Sequence, residues 1–600
     1  MTPWLWALLA LAGHAASLRL IDAGTRLHYQ HYFPPEALVE RPVALGVVLI
    51  QCVAVAIGGA GLALKSWRWL RDRLSLTAIL VIAVFFFATA AAGTRPLTYA
   101  AYDAAVSSLY ILISLLNVLL VVTSLRRPVS FPWHPSPLAL ALLVTFTAAV
   151  LNVTAYQKHP HIKDEVTYYE QARFFASGAI SAPAPPVPEA FEHYLMDFQN
   201  GRWFPVTPPG WPALLAIGMY FGVPWLVNPI LGGINLMLAA WLFKILFGNE
   251  LARIGTLLIA VSPWHLFLAM SFMTHTSQLT MALIGAAGIA QSRLTGRWQW
   301  ALLGGLGLGW MSLIRPLDGV ILCAVLGLWA LGIGGVRLRI PSLAALALGT
   351  ALTGSLVFPF NTELTGSPLR FPINAYVARH FAPGMNDLGF GASRGAGWGL
   401  DPNPGHSPID GMINLNLNGH SLNTELFGWA TGASLLLGLG LFAGGNARKM
   451  LAVIVPVCTV YFFYWYSGGP DYGARYWFLI LVPCVGLSLS ATAWLKKQAG
   501  AEAWRVNAAL LLLSASAVIS YIPWRATDKY FHYLSMKPVI HEEGKSLVLI
   551  GGPEFPNFAS GAAYNMPDVI SADVIYAWAR SPEITQRLIE AFPGRKVYRR

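Results

Sequence analysis

The chain alternates long apolar runs with polar stretches on a scale of about 20 residues, the length of helix that crosses a bilayer. Fifteen runs fit that description. The first four are 4–20, 43–64, 76–93 and 103–123. Seven follow at 137–155, 225–247, 253–270, 275–292, 299–314, 318–335 and 340–358. The last four are 425–443, 450–467, 476–494 and 505–522. The run from Trp4 to Leu20 has no basic start, so it reads as a retained first helix and not as a cleaved signal peptide. Three polar segments interrupt the pattern, at 156–224, 359–424 and 523–600.

Composition agrees. Of 600 residues 56% are hydrophobic and only 11% charged, where soluble domains carry about 25% charged residues. The expected class is a polytopic α-helical membrane protein. The 40 Lys+Arg against 28 Asp+Glu do not call for nucleic acid, because basic residues gather in cytoplasmic loops. Alternate short loops carry them: Lys65 to Arg73, Arg126 and Arg127, Arg253, Arg293 and Arg297, Arg337 and Arg339, Arg448 and Lys449, and Lys496 to Arg505. This pattern predicts a cytoplasmic N-terminus, an outer C-terminus and all three polar segments on the outer face of an inner membrane. Cys52, Cys323, Cys458 and Cys484 all fall in apolar runs, so no disulfide is expected.

The polar segments have their own patterns. The first holds SAPAPPVPEAFEHY and GRWFPVTPPGWPALL, whose prolines predict short helices joined by rigid turns, with Trp203 and Trp211 at the interface. The second is glycine-rich over 383–411, as a mobile lid or a loop fitted to a ligand would be. The third reads as a small α/β domain. SLVLIGG is its buried strand, SPEITQRLIEAF a capped amphipathic helix and KVYRR an edge strand.

The chemistry concentrates at KDEVTYYEQARFFASG, residues 163–178. As a helix this puts Asp164 and Tyr168 on one face, Glu165 and Tyr169 on the next with Arg173 a turn on, and Phe174 and Phe175 against lipid. Acids suit a helix start, so capping and surface charge are one reading. Ionisable groups beside a membrane span are the other, since these are usually functional. Elsewhere, Arg315 stands near Asp318, His275 lies between two spans, and Asp471 stands four residues before Arg475. His159, His161, Asp164 and His193 have no specific metal spacing, so no metal ligands are assigned, although a divalent ion is compatible with them.

These residues fall into an order that resembles the GT-C superfamily of membrane glycosyltransferases, in its protein O-mannosyltransferase and aminoarabinose transferase branch. The likeness runs over 137–600. It is carried by Asp164-Glu165 with Tyr168 or Tyr169, Ala172 and Arg173, and then by Pro208-Pro209-Gly210-Trp211-Pro212. Ser262-Pro263, Ser271 to Ser277, Arg315-Pro316 with Asp318, GGPDYGARY at 468–476 and the closing FPGRKVYR continue it. Thr207 departs from it, standing where aminoarabinose transferases carry a donor-binding lysine.

The resemblance implies a GT-C fold of about 15 transmembrane helices with a C-terminal α/β outer domain. Its parts would be a four-helix extension (1–123), a seven-helix catalytic module (137–358, with loop 156–224), a variable module (359–522, with loop 359–424) and the C-terminal domain (523–600). It also implies inverting transfer of a sugar from a polyprenyl-phosphate donor to a lipid, polysaccharide or protein acceptor. Asp164 would be the general base and Glu165 its assistant. Arg475, Arg315 and Arg202 would hold the donor phosphate, and Tyr168, Tyr169, His193, His275, Asp471 and Tyr476 would line the substrate site. The competing reading is a transporter or flippase of a lipid-linked sugar, which would bury charges at mid-membrane.

Overall fold

The computed structural model describes residues 1–21, 39–93, 97–128, 136–396, 405–469, 471–532, 534, 536 and 544–600. Helices dominate. Among the described residues, seven helical stretches are long and apolar enough to cross a membrane: Pro42–Arg71, Ala100–Ser124, Pro137–Ala155, Pro224–Ala260, Ile340–Thr365, Arg475–Glu502 and Trp504–Phe531. Leu76–Ala90 and Pro316–Ala330 are shorter apolar helices. The chain is a multi-pass membrane protein.

Several of the fifteen expected runs differ locally from single full-length helices. The runs 225–247 and 253–270 stay separate, since Gly248 (φ 81°, ψ 174°) breaks Val227–Ala260 between them, and the second run continues as Pro263–Met270. The expected span 425–443 is helical only over Ser434–Phe442. Nine residues reach about 14 Å, half the thickness of a bilayer core. The polar helix Pro408–Glu425 precedes it, inside the stretch expected as loop. Ser407 caps that helix by accepting from the Asp410 amide. Residues 397–404 of the glycine-rich loop lie outside the described residues; the part before them is tied to the part after by an antiparallel bridge between Gly391 and His406.

Contacts divide the chain into two compact units. The first comprises Met1–Ala141, Ala239–Leu266 and Asn386–Asp528. Buried amides clamp its N-terminal helices. Gln51 Nε2 donates to Asn117 Oδ1 (3.0 Å) and Asn117 Nδ2 to the Trp6 carbonyl (3.0 Å). These helices also bond to the later part of the same unit, through Thr89 to Ser434 (2.5 Å) and Asn416 to the Ala88 carbonyl (2.8 Å).

The second unit comprises Leu142–Leu238, Phe267–Met385 and Lys529–Arg600, and it contains two small sheets. In one, Arg202–Pro205 lies between Ala182–Pro183 and Met196–Gln199, all antiparallel. The hairpin turns on Asn200-Gly201, both at positive φ, as a two-residue turn of primed type requires. In the other, Ser546–Ile550 pairs in parallel with Val574–Trp578 and Lys596–Arg599. Helix Pro582–Ala591, capped by Ser581, and edge strand Lys596–Arg599 stand where the pattern put them. Strand Val574–Trp578 went unread because its apolar run is short.

The two sheets share one core. Phe174, Phe191, Met196 and Trp203 pack with Leu547, Leu549, Ile575, Leu588 and Phe592. Trp203 is fully buried, edge-on to Phe174 (5.5 Å), and its Nε1 donates to the Pro567 carbonyl (3.2 Å). The expected interfacial place of Trp203 and Trp211 is therefore corrected: both are buried in protein. Phe174 likewise faces this core and not lipid, because its side of the helix meets the sheet. Trp203→Ala should cost about 3–5 kcal/mol, as large core truncations do. Thermal unfolding in detergent should show a lower midpoint, with residues 544–600 becoming sensitive to protease; an unchanged midpoint would refute the shared core.

Candidate active site

Helix Lys163–Ala176 begins eight residues after helix Pro137–Ala155 ends, and it opens with Asp164 and Glu165 in its first turn. The two acids have different surroundings. Glu165 is fully buried. Its Oε2 accepts from the amides of His161 (2.9 Å) and Ile162 (3.3 Å), and its Oε1 from the amide of Phe272 (3.0 Å). It thus closes the start of its own helix, as the third helical residue does in a capping box, and grips a distant segment as well. Asp164, one residue earlier, is only half-buried, as is Tyr168 on the same face.

The segment that Glu165 grips is the break between helices Pro263–Met270 and His275–Thr295. Buried backbone there has no helical partner, so side chains must satisfy it. Asn152 donates to the Met270 carbonyl (2.6 Å) and Asn228 to those of Ser271 (2.7 Å) and Met273 (2.8 Å). Trp211 Nε1 donates to the Phe272 carbonyl (2.8 Å). Four elements therefore converge on one turn, and His275 follows it directly.

A second helix break adjoins His275. Pro316 starts helix Pro316–Ala330 and keeps Arg315 extended (φ −142°). Arg315 Nε donates to Asp318 Oδ2 (2.6 Å), and its Nη1 lies 3.4 Å from His275 Nε2. Asp318 is buried in the first turn, where the helix dipole favours an anion. Gly210 packs against this break. A Cβ there would lie 2.7 Å from the Leu313 carbonyl carbon and 2.8 Å from the Ile314 nitrogen, so only glycine fits. Trp310 Nε1 reaches the Gly210 carbonyl (3.2 Å). Thr207 bonds Gln171 of the acidic helix through both its hydroxyl and its carbonyl, and offers no cation.

An aromatic wall stands beside the acids. Tyr169 meets Phe272 edge-on (5.4 Å), and the Arg173 guanidinium lies 5.5 Å from the Tyr169 ring and 5.7 Å from that of Tyr564. Burial pushes the Tyr169 and Tyr564 hydroxyls up, against the opposing pull of Arg173. His159 Nδ1 pairs with the Tyr564 hydroxyl (2.8 Å), and burial lowers His159 to about 3, which keeps it neutral.

His193 is engaged deeper in the unit. Its Nε2 lies 2.6 Å from Glu170 Oε2, both side chains being buried. Burial lowers its pKa, but the Glu170 charge and hydrogen bond, with Glu554, outweigh that and raise it. The set His159, His161, Asp164 and His193 is not gathered for a metal: among the described residues no group of three or more His, Cys, Asp or Glu is placed to hold one. Arg202 also stands outside the cluster, with Ser181 and Glu363 (2.6 Å) as its partners.

Arg475, Asp471 and Tyr476 belong to the first unit. Arg475 is buried at the start of a short 3₁₀ turn, Arg475–Ile480. Its Nε donates to the Gly468 carbonyl, and its guanidinium lies over Tyr476 (5.2 Å) and Tyr466 (5.8 Å). The segment holding Asp471 turns at Gly473 (φ 59°), so Asp471 and Arg475 do not share a helix face. Pro470 lies outside the described residues. Glu425 and Arg525, a buried pair at 2.9 Å in the same unit, were not read as site residues. Nor were Asn152, Asn228 and Tyr564; a lone amide within an apolar run was the available signal for the first two.

No protein-family model and no curated protein matches the chain. Solved structures similar to it include the apo oligosaccharyltransferase of Archaeoglobus fulgidus, at 13% identity and TM-score 0.39 over 73% of this chain. The same enzyme with an inhibitory peptide and a dolichol-phosphate gives 13% and 0.31 over 68% of this chain and 62% of that one. ArnT from Cupriavidus metallidurans bound to undecaprenyl phosphate gives 14% and 0.40, over 77% of this chain and 88% of that one. The chain spans 64% of the length of the apo oligosaccharyltransferase. Likeness at this level bears on no residue and no reaction.

Two predictions follow from the geometry. Glu165→Gln replaces one acceptor oxygen with a donor facing a backbone amide, and should destabilise by about 1–3 kcal/mol. Asp164→Asn, at a half-buried side chain, should destabilise less than Glu165→Gln; thermal unfolding of the two variants checks the contrast. His159 takes up a proton more readily unfolded than folded, so it should make stability fall as pH drops from 6.5 towards 3, by up to about 1.4 kcal/mol per pH unit. The slope should flatten in His159→Asn.

Proposed function

We propose that the protein is a GT-C-type membrane glycosyltransferase. It moves a sugar from a polyprenyl-phosphate donor to an acceptor on the outer face of the inner membrane. The observation that carries this reading is the unequal pair at the start of helix Lys163–Ala176. Glu165 is consumed by three backbone amides, whereas Asp164, beside the end of an apolar helix, keeps solvent access.

In the proposed reaction the acceptor hydroxyl attacks the anomeric carbon from the face opposite the phosphate. A C–O bond forms and the bond to the phosphate oxygen breaks, its electron pair leaving with the polyprenyl phosphate. Asp164 takes the hydroxyl proton, and the sugar inverts. The leaving group is a weak base that needs cations more than a general acid. Arg315, aligned by Asp318 and beside His275, is the proposed phosphate ligand in the second unit. Arg475 stays a candidate for donor binding, tested by its own substitution. Glu165 is a positioning residue, with Tyr168 and Tyr169 proposed to line the acceptor side.

The test uses membranes carrying wild-type or Asp164→Asn protein and a panel of radiolabelled undecaprenyl-phosphate sugars. Wild type should transfer one of them, and Asp164→Asn should be slower by at least about 100-fold, the scale of a lost general base. Wild-type-like transfer by the variant would remove Asp164 as base. No transfer with any donor, together with donor crossing vesicles equally in both proteins, would favour a flippase.

A further inference from the structure

Arg202 borders a cavity of about 350 Å³ that neither Asp164, Glu165 nor Arg315 lines. Its walls come from two places in the second unit: the hairpin around Asn200 and the two helices Val357–Thr365 and Pro372–His380. Apolar contacts hold these walls together, with Leu195, Phe204 and Val206 of the hairpin packed on Tyr376, Leu364 and Ile373. The Leu195 amide also donates to the Tyr376 hydroxyl (3.4 Å).

Three guanidiniums face this space, from Arg202, Arg370 and Arg379. Two are balanced. Arg202 pairs with Glu363 (2.6 Å), and Arg379 pairs with Asp197, whose side chain is buried. Arg370 is exposed and has no ion-pair partner among the described residues. The turn that carries it is nonetheless braced. Asn361 Nδ2 donates to the Pro368 carbonyl (2.9 Å), and Thr365 Oγ1 lies 3.1 Å from the Arg370 carbonyl. The rest of the lining is rich in amides and hydroxyls, including Gln199, Asn200 and Thr362.

A fixed, polar cavity with one excess guanidinium suits an anion that also carries hydroxyls. We propose that this cavity is a second binding site, for an anionic sugar-like headgroup bearing a phosphate or a carboxylate. The guanidinium of Arg370 pairs with the anion and the amides of the hairpin tip meet the hydroxyls. Arg202 then serves this site and not the donor phosphate. The proposal deepens the glycosyltransferase reading, since such a headgroup is a fitting acceptor, but binding can be measured without turnover.

Calorimetry of the full-length protein in phosphatidylcholine nanodiscs, with glucose 1-phosphate as probe, tests it. Wild type and Asp164→Asn should bind alike. Arg370→Glu should bind at least about tenfold more weakly, with Arg370→Ala between, and neither should change the unfolding midpoint, since the side chain is exposed. If glucose 1-phosphate does not bind, native mass spectrometry in mixed phosphatidylglycerol nanodiscs distinguishes a lipid source. Retained phosphatidylglycerol that is lost in Arg370→Glu would support the site with a lipid headgroup as its ligand. No saturable binding of either probe, or equal binding by Arg370→Glu, would overturn the proposal. Wild-type-like transfer by Asp164→Asn would overturn the base assignment alone and leave the binding result standing.

Discussion

A break in the backbone between two buried helices is the constraint on which the second unit depends. Residues 270–273 are buried, and an unpaired buried polar group costs about as much as a lost hydrogen bond. The chain meets this with side chains from separated positions: Asn152, Glu165, Trp211 and Asn228. Each bond fixes the element that supplies it. The turn therefore sets where the acidic helix starts, where the Pro-Pro-Gly-Trp-Pro segment docks and where His275 emerges.

The proposed function follows from how this constraint divides adjacent residues. Glu165 is spent on the turn, and its burial holds the first helical turn still. Asp164 is carried along as the neighbour that retains access to solvent. Arg315 is held in the same indirect way, extended by the proline after it and aligned by Asp318. In the proposed reaction, Asp164 as base and Arg315 as cation would need little reorganisation when charge develops, which is how preorganised sites stabilise a transition state.

Much of this was legible in the sequence where the signal was periodic or local. The apolar runs located most helices, and Ser581 and the KVYRR run located the last helix and the edge strand. The acidic start of helix Lys163–Ala176 was also legible. What could not be read was long-range. The capping place of Glu165 is local, but its grip on the Phe272 amide, over a hundred residues away in sequence, is not. Trp203 and Phe174 suited a lipid interface by type, but a core formed with the C-terminal strands claimed them. The run at 425–443 failed as a single helix because the chain turns at Gly428 (φ 63°) and Gly432 (φ 59°), which leaves helix only from Ser434 onward.

The central claim is that one accessible carboxylate acts as a base in a single displacement, with no covalent sugar–enzyme bond. The anomeric configuration of the transferred sugar, read by NMR from the product of a donor the protein accepts, tests this most directly. The account predicts a configuration opposite to that of the donor. A retained configuration would require two displacements and a nucleophile on the protein, and would contradict the role given to Asp164.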